Sequence, residues 1–168
     1  MSETWNGFRV VANPLEETTQ TPETPTLAKS LQVLLADVTL FYHTVHQFHW
    51  NVTGTDFYEY HKFFDEIVSD VYDSIDPIAE NIRKLGEKTQ YRMSQLLQLT
   101  NLSEPATESS DVRTLTNELI RLNSKLIDVL MKTFDLANKS NQQGIANFIA
   151  ERIDMHQKWD WFLKSSGE

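Results

Sequence analysis

The sequence predicts an all-α protein: a four-helix bundle with one long crossover that carries a possible short helix. Three observations predict it. Helix breakers are scarce, with 5 Gly and 5 Pro in 168 residues, and Pro14, Pro22 and Pro25 sit together near the start. Beyond them, apolar residues recur at alternating steps of three and four in four separate stretches, which is the spacing of one helix face. Hydrophobic residues make up 40 % of a chain long enough for one domain with a real core and too short for two.

The elements follow in order. Residues 1–25 read as a tail, because "PLEETTQTPETPT" cannot bury enough apolar area to order itself. Trp5, Phe8, Val10 and Val11 precede that run as candidates for docking on a neighbouring surface. The bundle is expected over residues 26–168. A first helix begins near Thr26, with Leu27, Leu31, Leu34, Val38, Phe41, Val45 and Phe48 as its seam, and stops between residues 51 and 54. Asp56 followed by Glu59 has the pattern of a capping box for the second helix. That helix is seamed by Tyr60, Phe64, Ile67, Val71, Ile75, Ile78, Ile82 and Leu85, with Gly86 as its closing glycine. Pro77 lies inside the pattern and is expected to kink the helix or break its hydrogen bonding locally.

Residues 87–107 form the long connection, with a short helix around Met93–Leu99. Val112, Leu115, Leu119, Leu122, Leu126, Val129 and Phe134 seam a third helix, which "NKSNQQG" interrupts. A fourth runs from about Ile145 and carries Phe148, Ile149, Ile153, Trp159 and Phe162. Four amphipathic helices with the long crossover in the middle describe ferritin-like connectivity.

Composition narrows the chemistry. Cysteine is absent, which excludes disulfides and thiol catalysis and fits a reducing compartment. With no long apolar run and no basic leader, neither a membrane span nor a signal peptide is expected, and the default is a soluble cytoplasmic protein. The net charge of −9 repels phosphate backbones and favours cations.

The stretch "HQFHWNVTGTDFYEYHKFFDE", residues 46–66, holds three of the five histidines. On a helical wheel with His61 at zero, Asp65 lies at ~40°, Asp76 at ~60° and Glu80 at ~100°, whereas Phe64, Val71, Ile75 and Ile82 cluster near ~300°. The four polar residues share a face turned away from the chain's own core. Imidazole and carboxylate together suit iron, zinc or manganese. His61 and Asp65 can meet at one ion, and so can Asp76 and Glu80. The two pairs stand roughly 16 Å apart along the helix, so one subunit holds two half-sites. They become whole only if a two-fold axis lays one subunit's His–Asp half against another's Asp–Glu half. His49, at the end of the first helix, could reach the His61–Asp65 half. Lys62, Glu66, Ser69, Asp73 and Arg83 occupy the same face, as on an ordinary solvated helix, so a plain helical interaction module stays open. A di-metal core within one chain is disfavoured, since its Glu-x-x-His signature is missing.

"HWNVTGTDFYEYHKFFDE", followed by "DSIDPIAENIRKLG", resembles the Dps family, the DNA-protection-during-starvation proteins or miniferritins. The shared pattern is His-Trp-Asn-x-x-Gly, then Phe, then His-x-x-x-Asp, then Asp-x-x-Ala-Glu. The resemblance extends from about residue 27 to the C-terminus, where "ERIDMHQKWDWFL" is similar to the family's last helix. It implies a ferroxidase and iron store: a hollow dodecamer that oxidises Fe²⁺, preferably with hydrogen peroxide or else with O₂, keeps the ferric product and so limits oxidative stress. It also implies a centre at the two-fold interface. Carried over, the metal and catalytic residues are His49, His61 and Asp65 of one subunit with Asp76 and Glu80 of another, and zinc or manganese would compete with iron there. Trp50 beside His49 either supplies an electron or only packs.

This chain departs from the pattern in places. Asn81 stands where Arg is usual, and Pro77 directly follows Asp76. "NQQGIAN" is uncharged where many members line an iron pore with aspartates, which leaves the route of iron open. The acidic tail and single C-terminal lysine imply weak DNA binding at most, so a DNA-coating protein with a vestigial iron site is the rival reading. His46 and His43, one and two turns before His49, leave an auxiliary metal position open against ordinary surface or interface histidines. His156 receives no role.

Overall fold

The computed structural model describes residues 26–166, so the tail with Trp5 and Phe8 and residues 167–168 lie outside the described residues. Five helices form: α1 (Leu27–Asn51), α2 (Phe57–Lys84), the short α3 (Met93–Leu99), α4 (Val112–Lys139) and α5 (Gln143–Ser166). Thr26 caps α1, its hydroxyl accepting the Lys29 N–H at 3.3 Å. Gly54, at φ +125°, supplies the turn into α2, a backbone conformation that a side chain would strain.

The expected capping box at Asp56 does not form. Asp56 sits at φ −100°, ψ 26° and makes no side-chain cap bond. A cap needs extended dihedrals to turn its carboxylate onto the first helical N–H groups. Asp111, at φ −69° and ψ 125°, has them, and its carboxylate accepts from the Thr114 N–H at 3.0 Å to start α4. α2 runs unbroken through Pro77. The missing N–H costs one bond to the Asp73 carbonyl, on an exposed residue where water can serve instead. Gly86 closes α2 as expected, at φ +87°. Its N–H bonds to Arg83 O at 3.0 Å and that of Glu87 to Ile82 O at 3.3 Å, the two bonds of a Schellman ending. Asn141, at φ 55°, does the same for α4.

α1 packs on α2, α4 on α5, and α1 crosses to α4, with α3 lying on α1. Leu31, Phe41, Phe64, Ile82, Leu119 and Leu126 have no exposed surface at the centre of this core. The crossover is tied down at two points. Asp37 of α1, fully buried, accepts from Thr100 Oγ1 and from Asn101 N–H, both at 2.6 Å. Burial raises its pKa, opposed by these donors. Farther on, the Thr53 N–H donates to Ser110 O at 3.0 Å, clipping the end of the crossover to the α1–α2 turn.

Two polar networks cross the interior. Arg152 of α5 grips Asp70 of α2 with both terminal nitrogens (2.9 and 2.7 Å), and Trp159 Nε1 adds a bond at 2.9 Å. Burial alone would raise the pKa of Asp70, but these donors reverse the sign and lower it. His156, 1 % exposed, hydrogen-bonds through Nδ1 to Asn123 Oδ1 at 2.7 Å, while Asn123 Nδ2 donates to the His156 carbonyl.

Candidate metal centre

The short turn between α1 and α2 makes them antiparallel, so the last turn of α1 lies beside the first turns of α2. This brings His49 and His61 together. His49 Nδ1 donates to the His61 carbonyl at 2.8 Å, and His61 Nδ1 donates to the His49 carbonyl at 2.8 Å. The rings stack at 3.9 Å between centroids and 21° between planes. A carbonyl oxygen can only accept, so both Nδ1 atoms carry a proton, and when the rings are neutral both Nε2 atoms keep bare lone pairs. Neutral imidazoles with the far nitrogen anchored to backbone are the form in which histidine binds metals.

Neighbouring rings hold the pair. Phe57 stacks on His61 at 5.1 Å, and His46 lies 5.8 Å from His49. Trp50, 65 % exposed, lies 4.2 Å from the His46 ring, while Tyr42 meets the same ring at 5.4 Å. Phe57 and Trp50 are helix neighbours four residues from the histidines they touch, a spacing visible in the sequence though not read from it. Desolvation lowers the pKa of His46, the nearby His49 and His43 lower it further, and the Asp65 carboxylate opposes them.

The carboxylates are placed as the wheel predicts. Asp65, Asp76 and Glu80 are all exposed on α2, away from the core residues Phe64, Val71 and Ile82. Asp76 and Glu80 stand farther along the helix and are not joined to the histidines. Among the described residues, no three His, Asp or Glu side chains of one protomer surround a common position. His43 is exposed and packs edge-on to Tyr42, and His156 is committed to the core. Asn81 is turned inward and buried, its Oδ1 receiving Lys84 Nζ at 3.2 Å.

A ferritin-like domain model matches residues 28–166. The crystal structure of a Dps protein from Vibrio cholerae superposes with a TM-score of 0.81 at 30 % identity, covering 84 % of this chain and 89 % of that one. The chain belongs to the Dps family, within the ferritin-like superfamily. A DNA protection during starvation protein of Helicobacter pylori is 29 % identical over 135 residues, 80 % of this chain and 94 % of that protein. An uncharacterised protein of Haemophilus influenzae is 30 % identical over 140 residues, 83 % of this chain and 87 % of that one. This chain places an extra short helix, α3, in its long crossover. No described helix is long and apolar enough to cross a membrane.

Proposed function

We propose that this chain oxidises Fe²⁺ with hydrogen peroxide at centres shared between two subunits and stores the ferric product in a hollow homo-oligomer, a dodecamer in the cytoplasm. The observation that carries this reading is the reciprocal histidine pair, which leaves two Nε2 lone pairs on adjacent rings at a surface rather than in a core. The donor set fits the substrate, since imidazole with carboxylate suits a borderline cation such as Fe²⁺ and carboxylates stabilise the ferric product. The Vibrio cholerae relative is described as a ferritin-like diiron-carboxylate protein, which supports iron here.

In this reading His49, His61 and Asp65 bind the ion from one side. The partner subunit's Asp76 and the partner subunit's Glu80 complete the shell. Two ferrous ions each lose one electron; peroxide takes both electrons and two protons, its O–O bond breaks, and two waters leave. No hydroxyl radical is released when both electrons arrive together. Trp50 steadies His46 by stacking, and its exposed indole is a further one-electron donor if a single ion reacts.

The test is oxygen-free loading with Fe²⁺, then a stoichiometric peroxide pulse, following ferric absorbance in wild type and His61→Ala with particle mass alongside. Oxidation is expected to slow by roughly 10²-fold or more in the variant while the assembly persists, the loss usual for a ligand that the reaction needs. Equal slow oxidation in both proteins overturns the proposal.

A further inference from the structure

We propose that Tyr42 and Tyr72 relay single electrons between the two centres of one subunit interface, so that a centre holding one ferrous ion reduces peroxide fully with an electron drawn from the other. The inference rests on the reading of the centre given above.

The relay is a line of rings within one protomer. Beyond the stacked His49–His61 pair, the His46 ring lies 5.8 Å from that of His49, Tyr42 lies 5.4 Å from His46, and Tyr72 lies 5.7 Å from Tyr42. Trp50 touches the same His46 ring at 4.2 Å, so its indole joins the line. Among the described residues, the Tyr42–Tyr72 contact and the His49–His61 stack are the ring contacts that pass between α1 and α2. One turn beyond Tyr72 on α2 stands Asp76, and residues four apart are neighbours on a helix. In the proposed assembly His49 and His61 serve one centre of the interface and Asp76 serves the other. The line therefore begins at one centre and ends beside the next, across the roughly 16 Å of α2 that keeps the halves apart.

Chemistry suits the two tyrosines to this place. Electron tunnelling falls off exponentially with distance, so a wide gap is crossed quickly only through a stop that can itself be oxidised. Imidazole resists oxidation and serves as a bridge, whereas a phenol gives up an electron once its O–H proton can leave. Tyr42 is half-buried and Tyr72 is 60 % exposed in the single protomer. Both line an open cleft of about 420 Å³ together with Asp73, whose carboxylate can take that proton. With His61 at zero on the helical wheel, Tyr72 lies at ~20°, on the face of Asp65 and Asp76, so the proposed interface covers it.

One ferrous ion gives peroxide one electron and the O–O bond breaks, leaving hydroxide and a species with the oxidising power of hydroxyl radical. Tyr42 supplies the second electron through His46, and its phenol proton passes into the cleft. Tyr72 refills Tyr42, the ferrous ion at the Asp76 end refills Tyr72, and the phenol regains its proton. Two ferrous ions, one peroxide and two protons thereby give two ferric ions and two waters.

The experiment is an oxygen-free pulse of limiting peroxide on the assembled full-length protein loaded with one Fe²⁺ per centre, with a hydroxyl-radical trap present to intercept strays. Ferric yield and the paramagnetic signal of rapidly frozen samples are read for wild type, Tyr42→Phe and Tyr72→Phe. Phenylalanine keeps the ring packing and removes the oxidisable phenol, so shell mass and melting temperature should match wild type. Wild type is expected to form two ferric ions per peroxide, with a tyrosyl signal that decays as the second ferric ion appears. Tyr42→Phe should halve the yield and lose the tyrosyl signal. Tyr72→Phe should halve the yield and leave a tyrosyl signal that persists. A full yield in both variants overturns the proposal. A persistent tyrosyl signal at half yield in wild type overturns it too, because the rings would then be a sink and not a relay. If wild type forms no ferric iron rapidly, the reading of the centre falls; if it does and the variants match it, only the relay falls.

Discussion

His156 shows how far a single residue can set the pH range of the fold. Its imidazole is buried, and desolvation, reinforced by the Arg152 charge and opposed by Asp70, lowers its pKa from 6.5 to about 3. The unfolded chain therefore binds a proton between those values that the folded chain refuses. Stability is complete above pH 6.5 and is lost as pH falls towards 3, by up to about 1.4 kcal/mol per pH unit. His156→Gln, still able to donate to Asn123 Oδ1, should flatten this slope when melting temperatures are compared over that window. A variant as acid-sensitive as wild type would place the liability elsewhere. Nothing in the sequence distinguished this histidine from the others. Its partner Asn123 is 33 residues away, and only the packing of α4 on α5 reveals the pair.

At the scale of elements, periodicity made the four long helices, the short α3 and the glycine closing α2 legible in the sequence. It fails where a backbone dihedral decides. Asp56 and Asp111 are equally plausible caps as letters, and their ψ values of 26° and 125° separate them. Long-range ties are equally silent, since Asp37 meets Thr100 and Asp70 meets Arg152 across 63 and 82 residues of chain. The Asp37 tie predicts a measurable cost. Asp37→Ala leaves the Asn101 N–H and the Thr100 hydroxyl without their acceptor and should destabilise the protein by about 1–3 kcal/mol. Asp37→Asn should cost less, because it keeps an acceptor oxygen and relieves the buried charge. Thermal unfolding of the two variants at matched concentration checks the ranking, and an Asn variant weaker than Ala would refute it.

The whole molecule inherits its behaviour from α2, which carries the histidine half near its start and the Asp76–Glu80 half farther on. Spacing alone shows that the two halves cannot meet within one helix, because 1.5 Å per residue keeps them apart, and the proposed two-fold arrangement rests on that separation. What spacing could not give is the state of the rings, which depends on the carbonyls of another helix. The arrangement makes a prediction about mixed particles. His61→Ala and Glu80→Ala subunits should each assemble into inactive shells. Co-assembled at random, they form pairs in which one centre carries both defects and the other carries none. About a quarter of wild-type peroxide-driven iron oxidation should return, since half the pairs are mixed and each regains one of two centres. Mixtures as inactive as the separate shells would place both halves within one chain's site.

The reciprocal bonds between His49 and His61 carry a further consequence, for how substitutions combine. Each ring is held by the backbone that carries the other, so replacing one removes a proposed ligand and also loosens the helix end on which its neighbour is mounted. Losses at the two positions are therefore redundant rather than additive. The double variant should lose scarcely more ferrous affinity than either single one, so once one residue of the pair has changed, little further cost attaches to changing the other.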